Sequence, residues 1–237
     1  MEREEHLWPG GPAFFYNDAL FRPSTDSFLL AHFTRVRRGE RVCDLGAGTG
    51  LLSVLLLARQ SELTVWAVEL LAEGCELIRR AAGQNGWEDR LIPHQADLRQ
   101  LAALPRQRFD AVICNPPYFP DGSGQVSLAP ERRMARSEAT ASLEDVCRAA
   151  AALLGTGGRF SLVMRTERMA ELFVLCRRFA LEPERLRTVH HVAGAAPSLF
   201  LLECRKDGRP GLTAEPPLVL KHGDGTDTAE YDRIYFR

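Results

Sequence analysis

Short apolar segments alternate with longer segments in which apolar residues recur at helical spacing. The short segments are rich in β-branched and aliphatic residues, and they predict strands at 41–45, 63–68, 90–94, 109–114, 158–164, 187–192 and 198–204. The longer segments predict helices at about 24–36, 49–60, 72–85, 143–154 and 167–180, the first of them capped by Ser24 or Thr25.

This alternation predicts an α/β fold, with a doubly wound, mostly parallel sheet and helices on both of its faces. No helix separates the last two predicted strands, so we expect them to form an antiparallel hairpin at one edge of the sheet. The length of 237 residues suits one domain over 1–237. It divides into an N-terminal arm and helix (1–38), a long loop (119–141) and a C-terminal tail (210–237).

Composition narrows the class of protein only slightly. The formal net charge of −1 provides no overall electrostatic case for nucleic-acid binding. The six cysteines are scattered without a C-x-x-C pair, which predicts buried free thiols in a reducing compartment. Neither a signal peptide nor a membrane-spanning run is recognisable, so we expect a cytoplasmic protein without a membrane partner. No paired histidine ligands lie near the cysteines, so we expect no metal.

A glycine-rich turn follows the first predicted strand, with the sequence Asp44-Leu45-Gly46-Ala47-Gly48-Thr49-Gly50. Glycines let the backbone approach a ligand closely, and the helix that follows presents a partly positive N-terminus. The dinucleotide-binding fingerprint requires glycine or alanine where this chain has Leu51. Asp44 suits an amine-bearing ligand better than a pyrophosphate.

Two further acids follow the next two predicted strands. Glu69 ends the second strand, where a carboxylate can accept hydrogen bonds from both hydroxyls of a ribose, although a solvated strand-end acid is the alternative. Asp97 can hold an adenine amino group or cap a helix that begins at Leu98. Together with Asp44 and the glycine turn, Glu69 implies S-adenosylmethionine as the ligand. We expect Leu70 and Leu98 to line the same site.

The fourth predicted strand stops at Asn115-Pro116-Pro117-Tyr118, because two prolines cannot continue a strand. The Asn115 side-chain oxygen and the Pro116 carbonyl can each accept one N–H of a planar amine. Pro117 stiffens this pair of acceptors, and Tyr118 can stack on a base. The first and fourth strands flank the topological switch point, so the glycine turn and this segment should meet at one crevice. A simple strand-ending turn is the alternative.

The glycine turn and the Asn-Pro-Pro-Tyr segment together resemble the class I S-adenosylmethionine-dependent methyltransferases that modify exocyclic amines. Between roughly residues 14 and 236 the chain is further similar to one subgroup, the bacterial tRNA (adenine-N6) methyltransferases that modify the adenine beside the anticodon of a valine tRNA. Residues 21–30 resemble the adenosine-contacting N-terminal motif of these class I methyltransferases, and residues 199–208 and 230–235 carry the similarity to the subgroup.

The resemblance implies a Rossmann-like class I methyltransferase fold with a seven-stranded sheet, and methyl transfer to the N6 amine of an adenine in tRNA. It implies catalytic roles for Asn115, Pro116, Pro117 and Tyr118. The residues that it assigns to the cofactor are Phe21, Ser24, Asp26, Asp44, Gly46, Ala47, Gly48, Gly50, Glu69, Leu70, Asp97, Leu98 and Asn115.

Basic residues at two places are candidate contacts for RNA phosphates. The long loop after the Asn-Pro-Pro-Tyr segment carries Arg132, Arg133 and Arg136. Arg205 and Lys206 form a second group near the tail. Solvated arginines without a ligand are the alternative at both places.

Other substrates remain open at this stage. The glutamine side-chain amide of a translation release factor presents a similar planar nitrogen, but those enzymes resemble this one with an added helical N-terminal domain. Duplex DNA is a third candidate, for which no target-recognition domain is apparent. A non-catalytic RNA- or cofactor-binding module and a nicotinamide-dependent oxidoreductase are weaker alternatives. The sequence leaves open which nucleotide is modified, and whether the protein is a monomer or a homodimer.

Overall fold

The computed structural model describes residues 2–17, 24–100, 102, 108–116 and 141–236. Strands and helices alternate through most of these residues, as the apolar pattern predicts. The strands are β1 (Glu2–His6), β2 (Ala13–Asn17), β3 (Arg41–Leu45), β4 (Thr64–Glu69), β5 (Leu91–Gln95), β6 (Phe109–Cys114), β7 (Leu154–Arg165), β8 (Leu181–Val192), β9 (Leu199–Lys206), β10 (Thr213–Ala214) and β11 (Leu218–Lys221).

Helices connect the strands and lie on both faces of the main sheet. They are α1 (Thr25–Phe33), α2 (Leu51–Arg59), α3 (Ala72–Asn85), α4 (Leu143–Leu153), α5 (Met169–Arg178) and α6 (Ala229–Ile234), with a 3₁₀ turn at Thr166–Arg168. Ser24 occupies the N-cap position of α1, as predicted, but its side chain makes no capping hydrogen bond. Ser142 caps α4 through a capping box with Asp145.

The main sheet has nine strands in the described part of the chain, in the order β10-β8-β9-β7-β6-β3-β4-β5, and β11 also pairs with β8. Strands β3 to β7 are parallel to one another, whereas β9 runs antiparallel to both β7 and β8. The carboxyl ends of the parallel strands therefore form one edge of the sheet, here called the carboxyl edge. The mostly parallel sheet and the antiparallel hairpin confirm the predicted fold class.

The structure has four short strands that the apolar pattern did not predict, namely β1, β2, β10 and β11. Strands β10 and β11 lie in the polar segment after residue 210 and add to β8, so the hairpin is not the outermost element. Strands β1 and β2 form a separate hairpin. Every residue of β1 is exposed and most are charged, so this strand lacks the apolar alternation that identifies strands in sequence.

Each face of the sheet has its own apolar core. Helices α1, α2 and α3 and strand β2 cover one face, where Leu30, Leu56 and Ile78 are fully buried. Helices α4 and α5 cover the other face around Phe160 and Phe200. All six cysteines are buried and unpaired, which confirms the prediction of free thiols. Among the described helices, none combines the length and apolarity needed to cross a membrane.

A buried ion pair ties helix α1 to strands β8 and β9. The Arg185 guanidinium lies 3.2 Å from the Glu203 carboxylate, and both side chains are almost completely buried. The same guanidinium donates a 2.8 Å hydrogen bond to the carbonyl of Phe33 at the end of α1. It also lies over the Phe33 ring, 4.0 Å from its centroid. Helix α1 therefore cannot shift along the sheet without exposing this pair.

Candidate active site

The glycine turn lies at the carboxyl edge, between β3 and α2. The backbone N–H groups of Gly46 and Ala47 both donate 2.9 Å hydrogen bonds to the carbonyl of Val68, which ties the turn to β4. Gly50 has φ +79°, and a Cβ at this position would lie 2.7 Å from Cγ1 of Ile78. A left-handed backbone and this close approach both require glycine where α2 begins.

Asp44 is buried beneath the glycine turn at the end of β3, with 1% of its surface exposed. The Ser53 hydroxyl donates a 2.7 Å hydrogen bond to its Oδ2. Burial raises the pKa of this carboxyl to about 7, against the lowering effect of the Ser53 hydrogen bonds. A cationic group beside this carboxyl stabilises its ionised form. The predicted ammonium group of the ligand would have this effect.

Glu69 ends β4 beside the turn and is also buried. Its Oε2 accepts a 2.8 Å hydrogen bond from the Gly48 N–H, and its Oε1 accepts a 2.9 Å bond from the Leu71 N–H. These two bonds hold the carboxylate in one orientation. Burial is the main cause of its raised pKa, which the backbone hydrogen bonds partly offset. Each oxygen keeps a second acceptor site, so the carboxylate can also receive the two hydroxyls of a ribose.

Gly74, in the first turn of α3, lies against Glu69 and the glycine turn. It was not predicted from the sequence as a site residue. A Cβ at Gly74 would lie 2.7 Å from both the Glu69 Cγ and the Gly48 carbonyl oxygen. The absence of a side chain therefore allows α3, Glu69 and the glycine turn to meet. A glycine within a predicted helix, where it costs about 1 kcal/mol relative to alanine, is the signal that could have revealed this contact.

Asn115 follows β6 at the same edge, and two serines hold its side chain. The Asn115 amide nitrogen donates hydrogen bonds to the hydroxyls of Ser27, at 3.1 Å, and Ser24, at 3.4 Å. The nitrogen is therefore directed toward α1, and the side-chain oxygen points away from these serines. Pro116 follows directly and is buried. The role of Ser27 was not predicted, because a serine on a buried helix face gives no local indication of a partner 88 residues away.

The strand register places these residues at one crevice. Asp44 is paired with Ala67 of β4 on one side and with Ile113 of β6 on the other. Glu69 and Asn115 each lie two residues beyond those partners, as Gly46 lies two residues beyond Asp44. Strands are spaced about 4.8 Å apart, so Glu69 and Asn115 are roughly 10 Å apart across β3.

The remaining predicted cofactor residues lie near this edge with other partners. Asp97 follows β5, and its carboxylate accepts hydrogen bonds from the backbone N–H and the guanidinium of Arg99, both at 2.9 Å. Arg99 is the main cause of the lowered pKa of Asp97. The Leu70 carbonyl accepts a hydrogen bond from Gln95, and Leu98 packs against the core of the α4 and α5 face. Asp26 lies in the first turn of α1.

Arg205 and Lys206 are not brought to the crevice. Arg205 pairs with Arg159, and Arg159 with Ala111, so both basic residues lie toward the edge of the sheet opposite Asn115. Arg205 is joined to Glu184 at 2.7 Å and Lys206 to Asp207 at 3.3 Å. The antiparallel direction of β9 explains this displacement, because its carboxyl end points away from the carboxyl edge. The expectation that this pair contacts RNA phosphates near the tail stays a prediction, separate from the crevice.

Several predicted site residues lie outside the described part of the chain. They are Phe21, Pro117, Tyr118, Arg132, Arg133 and Arg136.

Comparison with known proteins identifies a family over most of the chain. Residues 22–180 match the model of the methyltransferase small domain. A protein from Tolumonas auensis named tRNA1(Val) (adenine(37)-N6)-methyltransferase is 30% identical over 218 residues, covering 90% of this chain and 89% of the relative. A protein of the same name from Cronobacter sakazakii is 34% identical, covering 79% and 76% of the two chains.

Solved structures show the same fold. A predicted O-methyltransferase from Agrobacterium tumefaciens superimposes with a TM-score of 0.73 at 26% identity, covering 89% of this chain and 95% of the other. TrmN from Thermus thermophilus superimposes with a TM-score of 0.55 at 23% identity, covering 76% of this chain and 48% of the other. The second likeness concerns the fold alone.

Proposed function

Since the chain belongs to the methyltransferase small domain family and, with its relatives, to the bacterial tRNA (adenine-N6) methyltransferases, we propose that it transfers a methyl group from S-adenosylmethionine to the N6 amine of an adenine in tRNA. The observation that carries this proposal is the orientation of Asn115 by Ser24 and Ser27, in a crevice shared with Asp44 and Glu69. A tRNA substrate implies a cytoplasmic enzyme.

The residues of the crevice fit S-adenosylmethionine, which supplies an electrophilic methyl group on a sulfonium. Asp44 is a buried carboxylate that suits the ammonium of the methionine part. Glu69, held by the N–H groups of Gly48 and Leu71, suits the ribose hydroxyls. Gly74 leaves room where a Cβ would lie against Glu69 and the Gly48 carbonyl oxygen.

The Asn-Pro pair supports an amine acceptor in particular. The lone pair of the adenine N6 is delocalised into the ring, so the amine must be held with that lone pair directed at the methyl carbon. The Asn115 oxygen and the Pro116 carbonyl accept its two N–H bonds, which favours the positive charge that develops on nitrogen. The nitrogen–carbon bond forms as the sulfur–carbon bond breaks, and the amine then releases a proton to water. An amide such as Asn115 cannot remove a proton, and this sequence of events does not require it to.

The direct test is transfer of labelled methyl groups to tRNA from a strain that lacks the protein. The wild-type protein should produce N6-methyladenine, detected by mass spectrometry of tRNA nucleosides. Asn115→Ala should lower the rate about 10²- to 10³-fold, the effect of removing one oriented polar group at a reacting centre. Gln60→Ala is the matched control, because this half-buried amide follows α2 at the opposite edge of the sheet.

The same preparation should be assayed on release factor and on duplex DNA. Methylation of a glutamine amide or of DNA, without methylation of tRNA, would contradict the proposal. An Asn115→Ala enzyme as active as the wild type would contradict the assigned role of the Asn-Pro pair.

A further inference from the structure

A cavity of about 590 Å³ lies next to the crevice, between the β1–β2 hairpin, the start of α1 and the end of α6. Its volume is within the range of small-molecule sites, about 300–1,000 Å³. Five Phe, Tyr and Trp side chains are among the described residues that line it, namely Trp8, Phe14, Phe28, Tyr235 and Phe236. None of the cofactor residues at Asp44, Glu69 or the glycine turn contributes to it.

Four of these rings form two pairs. Phe28 of α1 and Tyr235 are stacked, with ring centroids 4.3 Å apart and planes inclined by 11°. Trp8 and Phe236 contact each other at 4.6 Å with an inclination of 50°. Trp8 and Phe28 are half-buried and Phe236 is exposed, so the cavity retains accessible aromatic surface. A flat ring of a ligand can bury such surface by stacking, and every nucleobase has a π-face.

The cavity adjoins the reacting centre through one residue. Ser24 lines the cavity, and its hydroxyl accepts a hydrogen bond from the Asn115 amide nitrogen at 3.4 Å. A ligand in the cavity is therefore next to an adenine held by Asn115 and Pro116, without occupying the same place.

The polar groups of the cavity suit the edge of a base, and besides Glu5, Ser24 and Thr25 they include His6, whose Nδ1 lies 2.8 Å from the Gly11 carbonyl oxygen. Glu5 lines the wall, and its carboxylate is held by a 2.6 Å hydrogen bond from the Tyr16 hydroxyl. A fixed carboxylate repels a phosphate but accepts a hydrogen bond from an exocyclic amino group. The hydroxyls of Ser24 and Thr25 add groups that can donate or accept.

We infer that this cavity binds an unstacked nucleobase of the RNA that flanks the target adenine. The inference rests on the proposed function, because it requires an RNA substrate in the crevice. Sequence-specific RNA recognition commonly splays single-stranded bases onto aromatic side chains, which matches the arrangement of Trp8, Phe28 and Phe236. The two ends of the chain would then select the nucleotide next to the methylated one, while the Asn-Pro pair holds the amine.

The kinetic test uses the full chain with Trp8→Ala, Phe236→Ala and the conservative Trp8→Tyr. Loss of one stacking ring should raise the KM for tRNA roughly tenfold, equivalent to about 1.4 kcal/mol, with kcat and the affinity for S-adenosylmethionine within about twofold of wild type. Trp8→Tyr should restore most of the loss. Val174→Ala is the control, since Val174 is an apolar side chain, 69% exposed, on α5.

A measurement of Trp8 fluorescence tests the same proposal without substituting any residue of the cavity. The chain has three tryptophans, so Trp66→Phe combined with Trp87→Phe leaves Trp8 as the only tryptophan emitter. An anticodon stem-loop that carries the methylation site should quench Trp8 emission, whereas S-adenosylmethionine alone should not. Removal of the base next to the target adenine, leaving its sugar and phosphate, should abolish the quenching.

The outcomes separate the two proposals. A wild-type enzyme that methylates no tRNA overturns both. An enzyme that methylates tRNA, but whose KM and Trp8 emission respond to none of these changes, overturns the cavity proposal alone. A Trp8→Ala variant that loses affinity for S-adenosylmethionine instead of tRNA also overturns it, because the cavity would then belong to the cofactor.

Discussion

At the scale of single residues, the state of Asp44 links the fold to ligand binding. Its carboxyl is buried under the glycine turn, with hydrogen bonds from Ser53. Burial without a cationic partner disfavours the ionised form, which is why the pKa rises to about 7 from its ordinary value of 3.8. A ligand ammonium selects the ionised form, so proton release and ligand binding are coupled.

We expect the association constant for S-adenosylmethionine to rise about tenfold per pH unit below pH 7 and to level off above it, since the carboxyl must lose its proton before it can pair with the ammonium. Isothermal titration between pH 5.5 and 8.5 measures this dependence. Asp44→Asn should bind more weakly and without the rise. A wild-type profile as flat as that of the variant would contradict the assignment of Asp44 to the ammonium.

The same pKa makes an opposite contribution to the stability of the ligand-free protein. The folded pKa lies above the unfolded one, so the stabilising contribution is complete below pH 3.8 and is lost as pH rises to about 7. As pH rises from 5 to 8, the wild type loses this contribution and Asp44→Asn does not. The difference in free energy of unfolding between variant and wild type, measured in urea titrations, should therefore shift in favour of the variant.

At the scale of elements, helix α3 contains two glycines with different surroundings. Gly74 faces the Glu69 side chain and the Gly48 carbonyl, whereas a Cβ at Gly83 would meet nothing within 4 Å. Helix propensity treats the two positions alike, since glycine is unfavourable in any helix interior. Only the packing against β4 and the glycine turn distinguishes them.

Gly74→Ala should reduce the affinity for S-adenosylmethionine by tenfold or more, because its Cβ would displace Glu69 or the glycine turn, and overpacking of this kind costs about 1–3 kcal/mol. Gly83→Ala should leave the affinity unchanged and stabilise the protein by about 0.5–1 kcal/mol. Titration calorimetry and urea unfolding of both variants measure these effects. Equal behaviour of the two variants would show that the contact at Gly74 has no role in binding.

At the scale of the whole molecule, the buried pair of Arg185 and Glu203 fixes α1 relative to β8 and β9. This matters for function because α1 carries Ser27, and Ser24 directly precedes it. Helix α1 also carries Phe28, which packs on Tyr235 beyond α6. The position of α1 on the sheet therefore sets the orientation of Asn115 and the shape of the aromatic cavity together.

Glu203→Leu should lower the free energy of unfolding by about 1.5–3 kcal/mol, because the buried guanidinium of Arg185 loses one of its two carboxylate partners and keeps Glu215 at 2.7 Å. The double variant Arg185→Met, Glu203→Leu should recover most of this loss, since no fully buried charge remains and the partly exposed Glu215 keeps Arg35 at 3.9 Å. The exposed pair of Arg178 and Glu144, at 3.2 Å, provides the control, and Glu144→Gln should cost less than about 1 kcal/mol. Urea unfolding of the four proteins tests the prediction. A double variant no more stable than Glu203→Leu would show that the loss arises from packing rather than from an unpaired charge.

The sequence by itself determined the features that depend on short-range pattern. Apolar periodicity located the strands of the parallel sheet and the helices between them, with α3 and β6 matched at both ends. The glycine turn and the strand-ending prolines were recognisable because their backbone requirements are local. The acids at the ends of β3 and β4 followed from the strand assignment, since carboxyl ends of parallel strands meet at one edge.

Tertiary structure decided what depends on contacts between distant segments. The direction of β9 placed Arg205 and Lys206 at the edge of the sheet opposite the crevice, and the packing of α3 gave Gly74 its place against Glu69. Ser27 acquired its partner Asn115 from across the chain, and Trp8 met Phe236 near the other terminus. Such contacts produce no apolar periodicity in either segment. They form only because the folded sheet brings the two side chains together.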